Sequence, residues 1–218
     1  MALAIFDLDN TLLAGDSDYL WGQFLVQQQL VDADRYEQEN RRFYEEYKQG
    51  ELDINEFLAF SLQPLAQMSM ARLQALHQQF MAQSIEPILL DKATALLDRH
   101  RQAGDVLLII TATNRFVTQP IAERLGVDDL LATEAEIVNG RYTGQPTGIP
   151  CFQDGKVKRL NSWLAQTRHN MEGSWFYSDS HNDLPLLEVV DHPVAVDPDD
   201  TLAQHAEMRG WPVISLRD

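Results

Sequence analysis

The chain has 218 residues, 44% of them hydrophobic, enough to bury a substantial core in one domain or in one domain carrying an insertion. Its formal net charge of −16 argues against nucleic acid or an anionic membrane surface as a general partner, since both are held through basic patches; an anionic small molecule stays compatible if a metal and a few cations reverse the field locally. Cys151 is the only cysteine, so no internal disulfide can form, and with no leader-like start and no run near the roughly 20 apolar residues of a membrane span, a soluble cytoplasmic protein is expected.

The first predicted element is a buried strand at 3–6, followed at once by Asp7-Leu8-Asp9-Asn10-Thr11. Alternation sends Asp7 and Asp9 to the same side, where their charges repel unless a cation, a proton or a ligand compensates. An Asp-x-Asp pair also occurs in calcium loops and Asx turns, but a calcium loop needs further oxygen ligands and a late Glu, whereas Leu12-Leu13 turns the chain apolar. From about 18 to 83 the pattern reads as consecutive helices with no strand between them, broken by Gln-Gly-Glu-Leu-Asp at 49–53. Trp21, Phe24 and Leu25, then Phe57, Leu58 and Leu62, repeat at helical spacing and are read as the core of this segment. A core domain of residues 1–15 and 86–218 with a helical cap of residues 16–85 is therefore expected, and Pro87 is expected to open a long helix ending near Gly104.

The next apolar run, 106–110, leads into Thr111-Ala112-Thr113-Asn114 and a predicted helix start at Asn114. Thr and Asn are ordinary N-caps, but the free N–H groups of a helix N-terminus beside a Thr hydroxyl also suit a phosphoryl oxygen. Asn139-Gly140 predicts a type I′ hairpin, and Gly155-Lys156-Val157-Lys158-Arg159 places cations at the opening of a helix running through Leu164, which alone reads as a solvated face. The run at 175–177 then delivers Asp179 and Asp183 with Asn182 between them, although Asp183 could equally cap a helix. With further runs at 193–196 and 213–216, the order is that of an α/β fold with a Rossmann-like parallel sheet, in which ligands collect beyond the carboxyl ends of the strands. Asp7, Thr111 and Asp179 each follow an apolar run, and the six histidines show no paired ligand spacing.

Taken in this order, the four motifs resemble those of the haloacid dehalogenase-like phosphohydrolases, in the branch containing phosphoserine phosphatase. Asp7-x-Asp9-x-Thr11 matches the nucleophile motif, Thr111 the hydroxyl motif, Lys156 the lysine motif, and Asp179 with Asp183 the acidic motif; Lys156 is preferred to Lys158 because it stands 23 residues before Asp179. The resemblance implies that Asp7 attacks phosphorus and Asp9 is acid and then base. It implies a magnesium ion held by Asp7, the Asp9 carbonyl and Asp179, with Asp183 steadying Lys156 or a water on the cation. Thr111, Lys156 and Asn182 are implied to stabilise the phosphoryl oxygens. A phosphotransferase, and a ligand-binding protein with a relic site, are the rival classes.

Substrate choice is expected to lie in the cap. In phosphoserine phosphatases an acid soon after the first motif meets the substrate ammonium and a cap arginine grips its carboxylate. Asp16 occupies the acid position here, but the arginine position falls on Ala59, and residues 51–63 contain no arginine. An unpaired substrate carboxylate is disfavoured by roughly 2–5 kcal/mol. The pattern therefore points to a small phosphorylated amino alcohol such as histidinol phosphate, with Asp16 or Asp18 meeting its cations. Phosphoserine stays the alternative if Arg41, Arg42 or Arg115 supplies the missing cation; Arg115 and Ala112 are further candidates for contact with the ester.

Overall fold

The computed structural model describes residues 2–217. Its centre is a seven-stranded sheet in the order β4-β3-β2-β1-β5-β6-β7. The strands are β1 (Leu3–Phe6), β2 (Val106–Asn114), β3 (Asp129–Val138), β4 (Arg141–Thr147), β5 (Trp175–Ser178), β6 (His192–Val196) and β7 (Val213–Ile214). Every pairing is parallel except that of β3 with β4.

β1 lies between β2 and β5 and is buried along its whole length, which is why its four residues are all apolar. Its alternation divides the interior in two. Ala4 and Phe6 face one apolar cluster with Leu107, Ile109 and Tyr177, while Leu3 and Ile5 face another with Leu108, Ile110 and Phe176. The second cluster is covered by α8 (Asp154–Gln166), α9 (Leu184–Leu187) and α10 (Asp200–Arg209). The first is covered by α6 (Asp91–Ala103) and α7 (Arg115–Leu125), and it continues into a helical insertion of α1 (Ser17–Gln27), α2 (Ala33–Gln49), α3 (Ile54–Ser61), α4 (Gln63–Ala66) and α5 (Met70–Phe80). Trp21, Phe24, Leu25, Leu58 and Leu62 lie in this shared cluster, as their spacing implied.

Three predicted elements need correction. Pro87 does not open the long helix: Glu86–Ile88 forms a single tight turn, Leu89 is extended with φ −66° and ψ 134°, and α6 begins at Asp91. The hairpin at Asn139-Gly140 is present, with both residues at positive φ, but it belongs to a strand the sequence reading missed. The first half of β3 runs parallel to β2 and buries Leu130, Leu131 and Ala132 before the strand leaves to pair with β4. The run expected at 213–216 forms a strand of only two residues. Among the described residues no helix is long and apolar enough to cross a membrane.

Candidate active site

Asp7 leaves the end of β1 with its N–H donating to the Tyr177 carbonyl of β5 at 2.9 Å, so the two central strands set its position jointly. The residue is 3% exposed, and its carboxylate accepts from Lys156 Nζ at 2.7 Å. Lys156 enters from the first turn of α8, is 2% exposed, and also donates to Asp183 at 2.7 Å; Asp183 in turn accepts from Ser178 Oγ at 2.6 Å. Lys158, two residues on, is exposed. Thr11 links the first and last motifs: its hydroxyl lies 3.0 Å from Asp179 Oδ1 and 3.3 Å from Asp7 Oδ2, and it accepts from the Asp179 N–H at 3.1 Å.

Asp9 lies near enough to act on the charge of Asp7. Its Oδ1 accepts from the Ser17 N–H at 2.6 Å, and its Oδ2 from Thr113 Oγ1 at 2.8 Å and Thr111 Oγ1 at 3.5 Å. One acid is thus held by the start of α1 and by the end of β2 together. Asn114 caps α7 by accepting from the Val117 N–H, and its Nδ2 donates to Asp18 at 3.3 Å; Asp16 caps α1 by accepting from the Tyr19 N–H at 2.9 Å.

Electrostatics follow from this crowding. Burial pushes Asp7 up to about 7; Lys156 opposes the shift, while Asp183 and Asp9 add to it. Asp9 rises to about 6, chiefly through withdrawal from water and then through Asp16, with hydrogen bonds from Ser17 and Thr113 in opposition. Asp179 stands well above the usual carboxylate range through burial, then Asp7 and Asp183. Burial disfavours the Lys156 ammonium, but Asp183 and Asp7 outweigh it and keep the amine charged.

Whether these groups fit a cation can be judged from the donors. Among the described residues no group of three His, Cys, Asp or Glu side chains is arranged to hold a metal by itself. Asp183 accepts from Lys156 and Ser178 and the Asp9 carboxylate from Ser17 and Thr113, whereas Asp7 gives only Oδ1 to Lys156, which leaves Asp7 Oδ2, the Asp179 carboxylate and the Asp9 carbonyl for a cation. Asp7, Asp179 and Asp183 oppose the single ammonium of Lys156, an excess of negative charge that a divalent ion would balance. A small hard ion that keeps several waters suits such a partial set of oxygens, so the residues fit magnesium.

A cleft opens from these groups toward the helical insertion. Asp7, Asp9, Thr111, Ala112 and Thr113 form its floor, and Asp16, Asp18 and Tyr19 one wall; α2 contributes Asn40, Phe43, Tyr44 and Tyr47, and the approach to and start of α3 contribute Leu52, Ile54 and Phe57. Among the described residues, no lysine or arginine lines it.

The cations and the amide expected to serve the ester lie elsewhere. Arg115 points away, held by Glu134 at 2.9 Å, by Gln119 and by the Leu130 carbonyl; Arg42 is held by Glu39, Glu46 and Glu56; Arg41 is exposed on α2. Asn182 is not among the residues lining this cleft: its amide donates to the Tyr47 carbonyl at 2.9 Å and accepts from Gln153. Sequence reasoning missed Thr113, Ser17 and Ser178 as supports of the acids, and Tyr44, Tyr47 and Phe57 as cleft walls. The three-residue spacing of Tyr44 and Tyr47 on α2 was the available signal for two of them.

Residues 4–188 match the haloacid dehalogenase-like hydrolases, the class that this sheet and this set of acids define. A histidinol-phosphatase of Neisseria meningitidis serogroup C (strain 8013) is 44% identical over 219 aligned residues, covering 99% of both chains. A protein of unknown function from Bordetella pertussis Tohama I superposes with a TM-score of 0.93 at 44% identity, covering 99% of this chain and 98% of that one. A substrate-bound phosphoserine phosphatase shares the fold, with a TM-score of 0.74 at 18% identity over 100% of this chain and 94% of its own. The chain belongs to the haloacid dehalogenase-like hydrolases, as a phosphatase of that family.

Proposed function

We propose that this phosphatase is magnesium-dependent, works through a phosphorylated Asp7, and hydrolyses a small phosphorylated amino alcohol, histidinol phosphate above all. Residues 16–85 serve as its cap and residues 1–15 and 86–218 as its catalytic core. The cleft wall supports the substrate reading: Asp16 and Asp18 stand there among aromatic rings and, among the described residues, no arginine or lysine lines it to meet a carboxylate. Burial raises both acids, Asp18 well above the usual range, so a cationic ligand would be drawn to the charge they recover on ionising. The imidazole and amine of histidinol phosphate suit a wall of acids and rings, through charge and through cation–π contact. The 44% identical histidinol-phosphatase of Neisseria supports the same reading.

In the proposed reaction an Asp7 oxygen attacks phosphorus as the ester P–O bond breaks, and Asp9 gives its proton to the leaving alkoxide. Asp9 then takes a proton from water as that water displaces phosphate from Asp7, and the carboxylate is restored. A group poised at about 6 can serve in both directions near neutral pH. Lys156 neutralises charge on the transferred phosphoryl group, assisted by the Thr111 hydroxyl. Magnesium, when bound by Asp7, the Asp9 carbonyl and Asp179, supplies positive charge to the phosphoryl oxygens and keeps Asp7 ionised.

Phosphate release from histidinol phosphate is expected with magnesium and not with excess chelator; equal release in both would refute the metal assignment. Stability should show the same dependence. A carboxylate whose pKa is raised on folding stabilises the fold at low pH and loses that contribution as pH rises through the folded value. With Asp9 raised from 3.8 to about 6 and Asp7 from 3.8 to about 7, the chelated protein should lose stability between about pH 4 and pH 7 and level off above, and magnesium should raise the melting temperature more at the upper end.

A further inference from the structure

Asp7 is 3% exposed, at the floor of a cleft walled by α1, α2 and the start of α3, so an ester that comes to Asp7 passes the cap, and the seating of the cap governs its entry. The cap meets the core at α1 and α5, at α4, where Gln63 and Ala66 lie against Gly144 of β4, and at the junction of α2 and α3, and these contacts differ in kind. At α1 and α5, Trp21, Phe24 and Phe80 share one apolar cluster with Val117 and Ile121 of α7, an attachment that cannot open without exposing core. At the junction of α2 and α3 the Tyr47 ring lies 6.0 Å from that of Phe152, and the rest of the contact is polar. Asn182 Nδ2 donates to the Tyr47 carbonyl in the last turn of α2 at 2.9 Å, and Asn182 Oδ1 accepts from Gln153 Nε2 at 3.0 Å.

Two backbone features belong to this contact. Gly50, the C-cap of α2 at φ 74°, lies so close to the core that a Cβ there would stand 2.7 Å from His181 Nε2, and His181 is itself held by Asp199 at 2.7 Å. Gln153 has φ 47° and ψ −122°, a conformation that L residues rarely adopt, in the turn just before the helix of Lys156. Because the Tyr47 carbonyl can only accept, the Asn182 amide has to present its N–H to the cap. Gln153, by donating to Asn182 Oδ1, fixes that orientation.

We propose that Gln153 and Asn182 form the latch of the cap: positioning residues that hold the α2 end down on the core and, through their places beside Lys156 and Asp183, tie its closure to the two loops that carry the lysine–acid pair. The latch acts on any ester the cap encloses, so it stands or falls independently of the histidinol phosphate reading.

Gln153→Glu keeps the shape of the side chain but can only accept, so it competes with the Tyr47 carbonyl for the Asn182 N–H. Gly50→Ala presses the latch apart from the cap side. With an aryl phosphate as substrate, each variant is expected to raise KM about fivefold to tenfold with kcat within about twofold of wild type. Without substrate, tryptic cleavage after Lys48, in the last turn of α2, should accelerate by a similar factor while cleavage after the distant Arg209 is unchanged. An unchanged cleavage rate at Lys48 in both folded variants, or a loss confined to kcat, would overturn the latch.

Discussion

Asp7→Asn is expected to lower kcat by at least about 10⁴-fold for every phosphate ester, with the fold retained. The amide preserves the shape of the side chain but cannot attack phosphorus, and it removes one of the two carboxylates offered to the cation. Stability should move the other way. Burial of charge is the main reason that Asp7 is raised to about 7, and a neutral side chain escapes it, while Lys156 keeps Asp183 as a partner. In chelator at about pH 8 the variant should melt no lower than wild type. Phosphate release and thermal melting check the two halves; turnover within tenfold of wild type would remove Asp7 from its role.

Lys156→Met should cost roughly 3–5 kcal/mol of stability at neutral pH and cripple turnover, because it strands two carboxylates that now share one ammonium at 2.7 Å on each side. Lys158→Ala should lie within about 0.5 kcal/mol of wild type, its side chain being exposed. Denaturant midpoints measured in parallel decide between the two lysines. Near-equal effects would mean that the buried ion pairs do not carry this part of the site.

How much of this was legible in the sequence depends on how locally each feature is determined. Asp7, Asp9, Thr111 and Asp179 follow apolar runs that are buried on both faces, and a strand leaves its last residues little freedom of direction, so their convergence could be read from position alone. Lys156 needed its spacing to Asp179, since a lysine in a basic run otherwise looks solvated. The parallel half of β3 escaped because only Leu130-Leu131-Ala132 is continuously apolar, too short a run to stand out beside a clear hairpin signal. Arg115 was misplaced for a tertiary reason: its direction is set by Glu134, 19 residues away on a strand that had not been recognised. Asn182 likewise answers to a carbonyl 135 residues distant. Aromatic residues at helical spacing do not say whether they face a core or a cleft, so Trp21 and Phe57 read alike although one is buried in the apolar cluster and the other lines the site.

The missing arginine, by contrast, was visible in the sequence, and its consequence depended on whether another cation turned into the cleft. Arg41, Arg42 and Arg115 do not line it. A substrate carboxylate would therefore meet acids and aromatic rings, whereas an amine and an imidazole would meet charges of opposite sign. The most direct measurement is the ratio of kcat/KM for histidinol phosphate to that for phosphoserine, taken with magnesium in one assay. A ratio of at least about 30 is expected from the unpaired carboxylate alone; a ratio below one would contradict the reading of the cleft.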